Sequence, residues 1–273
     1  MENEVRQIQL KCLEILNIVD KICRKHGIEY SLCGGSVVGA HLFGGCLPWD
    51  DDVDLMMTRD NYNRFLAIAP DALPTGFSIH SFQLSDDFTT TFTKIMNDNT
   101  TIVQQDGTIS GVFLDITVYD RIPNDWRRKI DVQLWKLSQI AMIGSVDETG
   151  VKQSIRNLLL KTALKNRRTY LCFFQRWAER LGRVKSYSYA ELFGAYCNTK
   201  PFAPNIFENY TDIVFEGGHY RIVRDYVQYL ETRYDRTDFH EPKEKQIAPH
   251  YRYVDFSLPY KEYQGKSQNF DGV

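Results

Sequence analysis

The feature that most constrains the fold of this chain is an acidic run at residues 50–57, DDDVDLMM. The odd-numbered residues from 53 to 57 are apolar and alternate with Asp52 and Asp54, which is the period of a β-strand. This alternation predicts a strand over residues 52–57 with both carboxylates on one face. Carboxylates crowded on a core strand repel one another unless a cation neutralises them. The run therefore indicates either a cation site at a buried strand or a solvated acidic loop.

A divalent cation resolves the conflict on a core strand, and hard carboxylate oxygens are ligands for Mg²⁺ or Mn²⁺. A second strand is predicted at residues 112–119, where alternate residues are apolar and Asp115 points to the opposite face. We expect Asp115 to supply a third carboxylate from this neighbouring strand. Taken alone, Asp115 is interpreted equally well as an acid at an edge strand or a turn.

The segment Gly34-Gly35-Ser36 lies between a strand predicted at 28–32 and a short helix predicted at 37–43. A turn of this kind exposes backbone N–H groups at a helix N-terminus and can bind an anion. On its own such a segment is usually a plain turn. Its position shortly before Asp52 combines a phosphate-binding turn with a metal-binding pair, which is what phosphoryl or nucleotidyl transfer requires.

The rest of the chain predicts an α+β fold. Apolar residues at three- and four-residue spacing predict a helix over residues 5–26. Further elements are predicted as a helix at 60–69 that stops at Pro70, strands at 77–82, 91–96 and 100–104, and a last helix at 222–234. We expect a mixed sheet with flanking helices over residues 1–123, and a mainly helical region over 124–273 that closes over the site.

Charge and hydropathy exclude several classes of protein. The 33 Lys and Arg against 35 Asp and Glu argue against a protein coated for nucleic-acid binding. No stretch approaches the ~20 apolar residues of a membrane span, and residues 1–4 do not resemble a secretion signal. We therefore expect a cytoplasmic protein.

Residues 151–185 carry ten basic side chains and one acid, a net charge of +9 in a chain of net charge −2. The segment predicts helices with one buried and one cationic side. Its apolar side comprises Ile155, Leu158, Leu159, Leu171, Phe174, Trp177 and Leu181. The cationic side is either a solvated helix face or a surface for an anionic partner. Two such partners fit, the inner leaflet of a membrane and a phosphate-bearing, lipid-linked glycan.

Two motifs resemble the LicD family of phosphotransferases: YSLCGGSVVGA at 30–40 and LPWDDDVD at 47–54. The family contains bacterial phosphocholine transferases that decorate surface glycans such as lipopolysaccharide, teichoic acid or capsule, and it is related to fukutin. The similarity continues through residues 94–96, 111–116 and 120–123. It is weaker at residues 214–216, 226–234 and 242–250.

The resemblance implies a nucleotidyltransferase-like fold and assigns roles to individual residues. Asp52 and Asp54 match the metal-binding pair, and Asp115 matches the third carboxylate. Gly35 and Ser36 match the phosphate-binding turn. Further substrate-binding residues are expected in the same motifs: Gly34, Trp49, Asp50, Asp51 and Lys94.

One departure from the family concerns a basic pair. The family usually has Arg-His where this chain has Leu42-Phe43. A basic contact to the substrate is therefore either missing or supplied from elsewhere in the chain.

The implied activity is Mg²⁺-dependent transfer of phosphocholine from CDP-choline, or of the phospho-alcohol of another CDP-alcohol, to a sugar hydroxyl of a glycan precursor. Asp115 would act as the general base. Aromatic rings attract quaternary ammonium groups, but Tyr30, Trp49 and Phe113 are each better interpreted as core residues.

The residues alone leave four alternatives to this activity open. They are transfer of a nucleoside monophosphate, transfer of another phospho-alcohol such as glycerol phosphate, a glycosyltransferase with a DxD motif, and an inactive relative that serves as a binding module. Only 51 residues precede Asp52, which is short for a glycosyltransferase. Three retained aspartates argue against an inactive relative.

Overall fold

A curled, mixed sheet of eight strands forms the centre of the fold and draws strands from both halves of the chain. The computed structural model describes residues 2–88, 90–142, 151–162, 165–193, 198–236, 238–239 and 250–263. The elements follow in the order α1 (Glu2–His26), β1 (Ser31–Leu32), α2 (Gly34–Phe43), β2 (Asp54–Thr58), α3 (Arg59–Ala72), β3 (Phe77–His80), β4 (Thr93–Gln104), β5 (Ile109–Pro123), α4 (Arg128–Met142), α5 (Val151–Lys161), α6 (Arg167–Leu181), β6 (Tyr187–Glu191), β7 (Asn198–Phe202), β8 (Tyr210–Phe215), β9 (Gly218–Val223), α7 (Tyr226–Tyr234) and β10 (Tyr251–Asp255). Short 3₁₀ helices lie at Pro204–Phe207 and Tyr260–Glu262.

The strand order is β1-β2-β5-β4-β10, with β3 paired to β4 and with β6 joining β5 to β7. Strands β2 and β5 are parallel, whereas the other pairs are antiparallel. The register places Asp54 of β2 and Lys94 of β4 on either side of Asp115 in β5. Three adjacent strands therefore bring these side chains to one place in the sheet.

Helix α1 packs its apolar stripe against β4 and β5, as its sequence period predicts. Its side chain Gln9 is buried and donates hydrogen bonds to the carbonyl oxygens of Leu47 (2.9 Å) and Asp50 (2.8 Å). The helix therefore anchors the loop that leads into the acidic run.

The structure confirms the predicted α+β class, with a mixed sheet flanked by helices. Within residues 124–273, helix predominates over strand, but the sequence did not predict β6 to β10. Three of these strands join the same sheet as β2, so the sheet runs across residue 123, and the division there stays a prediction. Residues 242–249 and the end of the chain after 263 lie outside the described residues.

Several predicted boundaries are wrong for local reasons. The strand predicted from residue 52 begins at Asp54, and the helix predicted from 37 begins at Gly34. Helix α3 continues past Pro70 to Ala72, since a proline near the helix end removes only its own N–H donor.

Two strands predicted separately form a single strand, and the first residues of one predicted helix belong to a strand. The strands predicted at 91–96 and 100–104 form the single strand β4, interrupted by an irregularity in register between Asn97 and Ile102. The helix predicted from 222 begins at Tyr226, because the preceding residues form the β8–β9 hairpin. That hairpin turns at Glu216 (φ 51°) and Gly217 (φ 75°), the positive angles of a tight two-residue turn.

No helix among the described residues is long and apolar enough to cross a membrane.

One carboxylate far from the acidic run is buried without a hydrogen bond. Asp131 of α4 is 2% exposed, and neither of its oxygens has a hydrogen-bond partner among the described residues. Burial, and then the negative charge of Asp120, raises the pKa of Asp131 to about 7. Asp120 itself is satisfied by Arg59, whose Nε and Nη2 donate to its two oxygens at 2.7 and 2.8 Å.

We expect Asp131→Asn to raise the free energy of unfolding at pH 8 by about 1–2 kcal/mol. The folded chain retains a proton on Asp131 that the unfolded chain releases, so wild-type stability falls as pH rises from about 4, the ordinary pKa, to about 7. The advantage of the variant grows over that range and is constant above it. Urea titrations at several pH values measure this. Asp71→Asn, which changes an exposed carboxylate on α3, is the control and should follow wild type. Parallel pH profiles for Asp131→Asn and wild type would contradict the expectation.

Candidate functional site

A cavity of about 600 Å³ opens where β2, β5 and β4 meet. It gathers five of the residues predicted from the sequence, namely Asp51, Asp52, Asp54, Lys94 and Asp115. The other five predicted residues, Gly34, Gly35, Ser36, Trp49 and Asp50, are outside its lining. The cavity is therefore acidic at its sheet side and has one lysine from β4.

Asp54 and Asp115 are cross-strand partners in the parallel β2–β5 pair. Burial, followed by the negative charges of Asp52 and Asp115, raises the pKa of Asp54 well above its usual range. Burial also raises the pKa of Asp115 to about 6, while Lys94 opposes this shift. The strand pairing thus holds carboxylates together at an electrostatic cost that a cation would relieve.

Lys94 partly supplies that cation. Its Nζ lies 3.2 Å from Oδ1 of Asp115 and 3.0 Å from the centroid of the Phe113 ring. Burial lowers the pKa of Lys94, although the neighbouring carboxylates act in the opposite direction. Oδ1 of Asp115 is nevertheless buried and accepts no hydrogen bond.

The loop before β2 carries the remaining aspartates. Asp51 accepts hydrogen bonds from the backbone N–H of His250 (3.0 Å) and from its Nδ1 (2.7 Å). One ligand atom each from Asp51, Asp52 and His250 lies within 4.8 Å of the others, a group that could hold a metal ion. This group shares only Asp52 with the metal set predicted from the sequence.

Asp50 turns toward helix α2 instead of the cavity. A Cβ on Gly35 would come within 2.6 Å of Oδ2 of Asp50, so the close approach requires glycine there. Burial, and then the charge of Asp52, raises the pKa of Asp50 to about 8. The Asp50 carboxyl thus occupies space beside the helix terminus where a bound anion was expected.

The Gly-Gly-Ser segment forms the first turn of α2 and positions other elements. The N–H of Gly34 donates to the Tyr229 hydroxyl of α7 at 3.2 Å. The hydroxyl of Ser36 accepts from the N–H of Asp54 at 3.0 Å. Gly35 contributes the second amide of the helix, which has no acceptor within the helix. In this state, Gly34 and Ser36 hold α7 and β2 in place.

The aromatic residues near the motifs differ in their environments. Tyr30 is fully buried and donates to Asp20 at 2.7 Å, which confirms it as a core residue. The Trp49 ring packs edge-on against Phe43, with ring centroids 6.4 Å apart. Phe113, interpreted from the sequence as core, lines the cavity beneath Lys94.

The sequence missed four cavity residues from the C-terminal half: Glu191, Arg233, His250 and Tyr251. Nη1 of Arg233, on α7, donates to Glu191 (2.8 Å) and to the Tyr119 hydroxyl (3.1 Å). A Cβ on Gly34 would lie 3.8 Å from both Nη2 of Arg233 and Oδ2 of Asp54, so the guanidinium is close to the carboxylates. Two signals in the sequence pointed toward them: the weak family similarity at 226–234 and 242–250, and the absence of the basic pair at 42–43.

Comparison with known proteins agrees with this geometry. Residues 27–137 match the family model described as LicD/FKTN/FKRP, nucleotidyltransferase domain. The chain is also 27% identical over 262 residues to the lipopolysaccharide cholinephosphotransferase LicD of Haemophilus influenzae. That alignment covers 90% of this chain and 96% of the relative. The matched residues contain the acidic run, Lys94 and Asp115, so this part of the chain is similar to a LicD-type nucleotidyltransferase domain.

Proposed function

We propose that this protein transfers phosphocholine from CDP-choline to a sugar hydroxyl of a surface-glycan precursor of the lipopolysaccharide type, in a reaction that requires Mg²⁺ or Mn²⁺. The observation that carries the proposal is that Asp52, Asp54, Asp115 and Arg233 line one cavity. The choice of choline and of lipopolysaccharide is supported by the similarity to a lipopolysaccharide cholinephosphotransferase over most of both chains.

The donor set fits a divalent cation. Several carboxylates are buried together, and one buried oxygen of Asp115 accepts no hydrogen bond. Asp52, Asp54 and Asp115 would hold the ion, and Asp51 with His250 lies beside Asp52 for a second contact. When bound, the ion neutralises negative charge on the phosphates of the donor.

Arg233 binds a phosphate oxygen of the donor in our proposal. Its Nη1 is held by Glu191 and Tyr119, and its Nε and Nη2 lie on the side of Gly34 and Asp54, where they can meet a ligand. A fixed guanidinium can form paired hydrogen bonds to phosphate oxygens. Arg233 thus supplies, from α7, the basic contact that residues 42–43 lack.

Asp115 takes up the proton of the acceptor hydroxyl. The acceptor oxygen forms a bond to the phosphorus of phosphocholine, the bond from that phosphorus to the CMP oxygen breaks, and CMP leaves. Lys94, 3.2 Å from Asp115, favours the carboxylate form that can accept the proton.

We place this reaction in the cytoplasm, at the inner face of the cytoplasmic membrane, on a glycan carried by a lipid. The basic character of residues 151–185 supports a location beside anionic lipid.

Product analysis tests the reaction type. The full chain is incubated with Mg²⁺, CDP-choline, and lipopolysaccharide as acceptor, and in parallel with CDP-glycerol, a nucleotide-sugar or a nucleoside triphosphate in place of CDP-choline. Release of CMP with labelled choline phosphate on the glycan is the expected result. Release of pyrophosphate from a nucleoside triphosphate would indicate transfer of a nucleoside monophosphate. A free nucleoside diphosphate would indicate a glycosyltransferase, and either result would overturn the proposal.

We expect Asp52→Asn and Asp54→Asn each to lower the transfer rate by on the order of a hundredfold or more, because several kcal/mol of charge stabilisation depends on the bound ion. Without metal, neither variant should unfold at a lower temperature than wild type, since each loses like-charge repulsion. Mg²⁺ or Mn²⁺ should raise the melting temperature of wild type and not that of the variants. Asp87→Asn, on an exposed loop, is the matched control. Full activity in either variant, or transfer that persists after chelation, would refute the metal assignment.

We expect Asp115→Asn to lower kcat by about 10²–10⁴ while leaving the KM for CDP-choline within a few-fold of wild type. A general base acts in the transition state, so its loss appears in turnover and not in donor binding. Steady-state kinetics at saturating acceptor separate the two parameters. A normal kcat in Asp115→Asn would assign the residue a structural role.

We expect Arg233→Lys to raise the KM for CDP-choline by roughly tenfold with a smaller change in kcat, since lysine keeps the charge but loses the paired donors. Lysine also leaves buried Glu191 with a positive neighbour, which protects the fold. Arg221→Lys is the matched control, because Arg221 pairs with Glu29 and Asp212 away from the cavity. An unchanged KM in Arg233→Lys would exclude a donor contact.

A further inference from the structure

The outward face of helix α6 is aromatic and basic. Leu171, Phe174 and Ala178 are buried and fix the inward side of the helix. Phe173 and Trp177, one turn apart, are 50% and 43% exposed, and their ring centroids lie 5.7 Å from each other. The sequence predicted Trp177 on the buried side, and that prediction is wrong.

Two arginines share this face. Arg176 and Arg180 are exposed, and neither has an ion-pair partner among the residues that the structure describes. The only acid of the helix, Glu179, is turned aside and accepts a hydrogen bond from Gln175 at 2.9 Å. The face therefore presents two rings and two positive charges with no exposed acid.

Helix α5 lies beside α6, since its Leu159 and Leu160 pack in the same apolar cluster as Leu171, and it also exposes apolar side chains. Ile155 and Leu158 are 55% and 63% exposed, although the sequence placed both on a buried side. Around them the chain continues to be basic, with ten basic residues and one acid between 151 and 185. We call the exposed side chains of Ile155, Leu158, Phe173, Arg176, Trp177 and Arg180 the α5–α6 surface.

Not every arginine of the segment is available to a partner. Arg168 donates to the carbonyl oxygens of Phe82 and Gln83, both at 2.8 Å, and pairs with Asp86 at 3.0 Å. Its role is to hold α6 against the loop after β3. The cationic function of the segment therefore falls to the exposed arginines.

We propose that the α5–α6 surface docks the protein on an anionic lipid bilayer. Exposed aliphatic and aromatic side chains insert at the level of the headgroups, where tryptophan is favoured. Arginines beside them contact lipid phosphates, each strengthening binding to an anionic leaflet. Exposed apolar side chains beside Arg176 and Arg180 match such a bilayer both in hydrophobicity and in charge.

A second copy of this chain fits the surface poorly. A symmetric contact would bring the surface against itself and would set the unpaired Arg176 and Arg180 close to the same residues of the other copy. The bilayer supplies the opposite charge instead.

The docking surface is separate from the transfer site, since none of its six residues lines the cavity. The inference therefore does not rest on the proposed chemistry, although it gives that chemistry a membrane-borne acceptor. A binding measurement and an activity measurement can fail independently.

The test is co-sedimentation of the full chain with vesicles of phosphatidylcholine, with and without phosphatidylglycerol, at low salt and at about 0.15 M salt. We expect binding only to vesicles that contain phosphatidylglycerol, weaker at the higher salt. Arg176→Gln with Arg180→Gln should weaken binding by roughly thirtyfold, about fivefold for each arginine. Trp177→Ala should weaken it severalfold.

Matched controls remove the same groups elsewhere. Lys21→Gln with Lys25→Gln deletes two exposed charges at the same spacing on α1, and Trp126→Ala deletes a ring that is 70% exposed. Both controls should bind like wild type. Transfer to a soluble, lipid-free acceptor should be equal in all these variants, which separates docking from catalysis.

Three outcomes would overturn the proposal. The first is that the protein does not bind anionic vesicles at low salt. The second is that the α1 control loses as much vesicle binding as the α6 arginine variant. The third is that light scattering detects a dimer of the wild-type chain that Trp177→Ala converts to a monomer. The last result would assign the surface to a second copy of the chain.

Discussion

The parallel pairing of β2 with β5 is the constraint on which the site depends. It places Asp54 directly beside Asp115, where the sheet borders the cavity. Buried carboxylates at this separation destabilise the fold unless positive charge or protons neutralise them. The elements around the pair are explained most simply as means of tolerating that repulsion while keeping the oxygens in place.

Several neighbouring elements supply the positive charges and hydrogen bonds that stabilise the carboxylate pair. Lys94 arrives from β4 and Arg233 from α7, so one cation lies against Asp115 and the other near Asp54. The Ser36 hydroxyl holds the first amide of β2, and Gln9 holds the loop before it. The positive groups only partly neutralise the cluster, since the pKa values of Asp50, Asp54 and Asp115 all remain raised. A site that is stable but incompletely neutralised is suited to bind a further cation.

Local sequence patterns predicted the acidic half of this arrangement. Alternation of apolar residues at 53–57 located β2 to within two residues. Alternation around Asp115 predicted that the Asp115 side chain points away from the apolar face of β5. The same reasoning could not predict β6 or β10, because each is a five-residue strand whose partner is distant in sequence. Arg233 lies on the short helix α7, where the family similarity is weak, and only the tertiary fold brings it to Gly34. The exposure of Trp177 was missed because helical periodicity identifies an apolar stripe but not whether another element covers it.

The two parts of the chain contribute different residues to the cavity, and this difference bears on specificity for the donor. Asp52, Asp54, Lys94 and Asp115 all lie within the family-matched residues 27–137, whereas Glu191, Arg233 and His250 come from outside them. The matched part thus carries the aspartates that line the cavity. The later part of the chain adds the guanidinium, its buried carboxylate partner and an imidazole to the cavity wall. In the proposed reaction the phosphate and alcohol groups of the donor meet side chains of the cavity wall, so we expect the choice of donor to depend also on the residues with the weakest signal in the sequence.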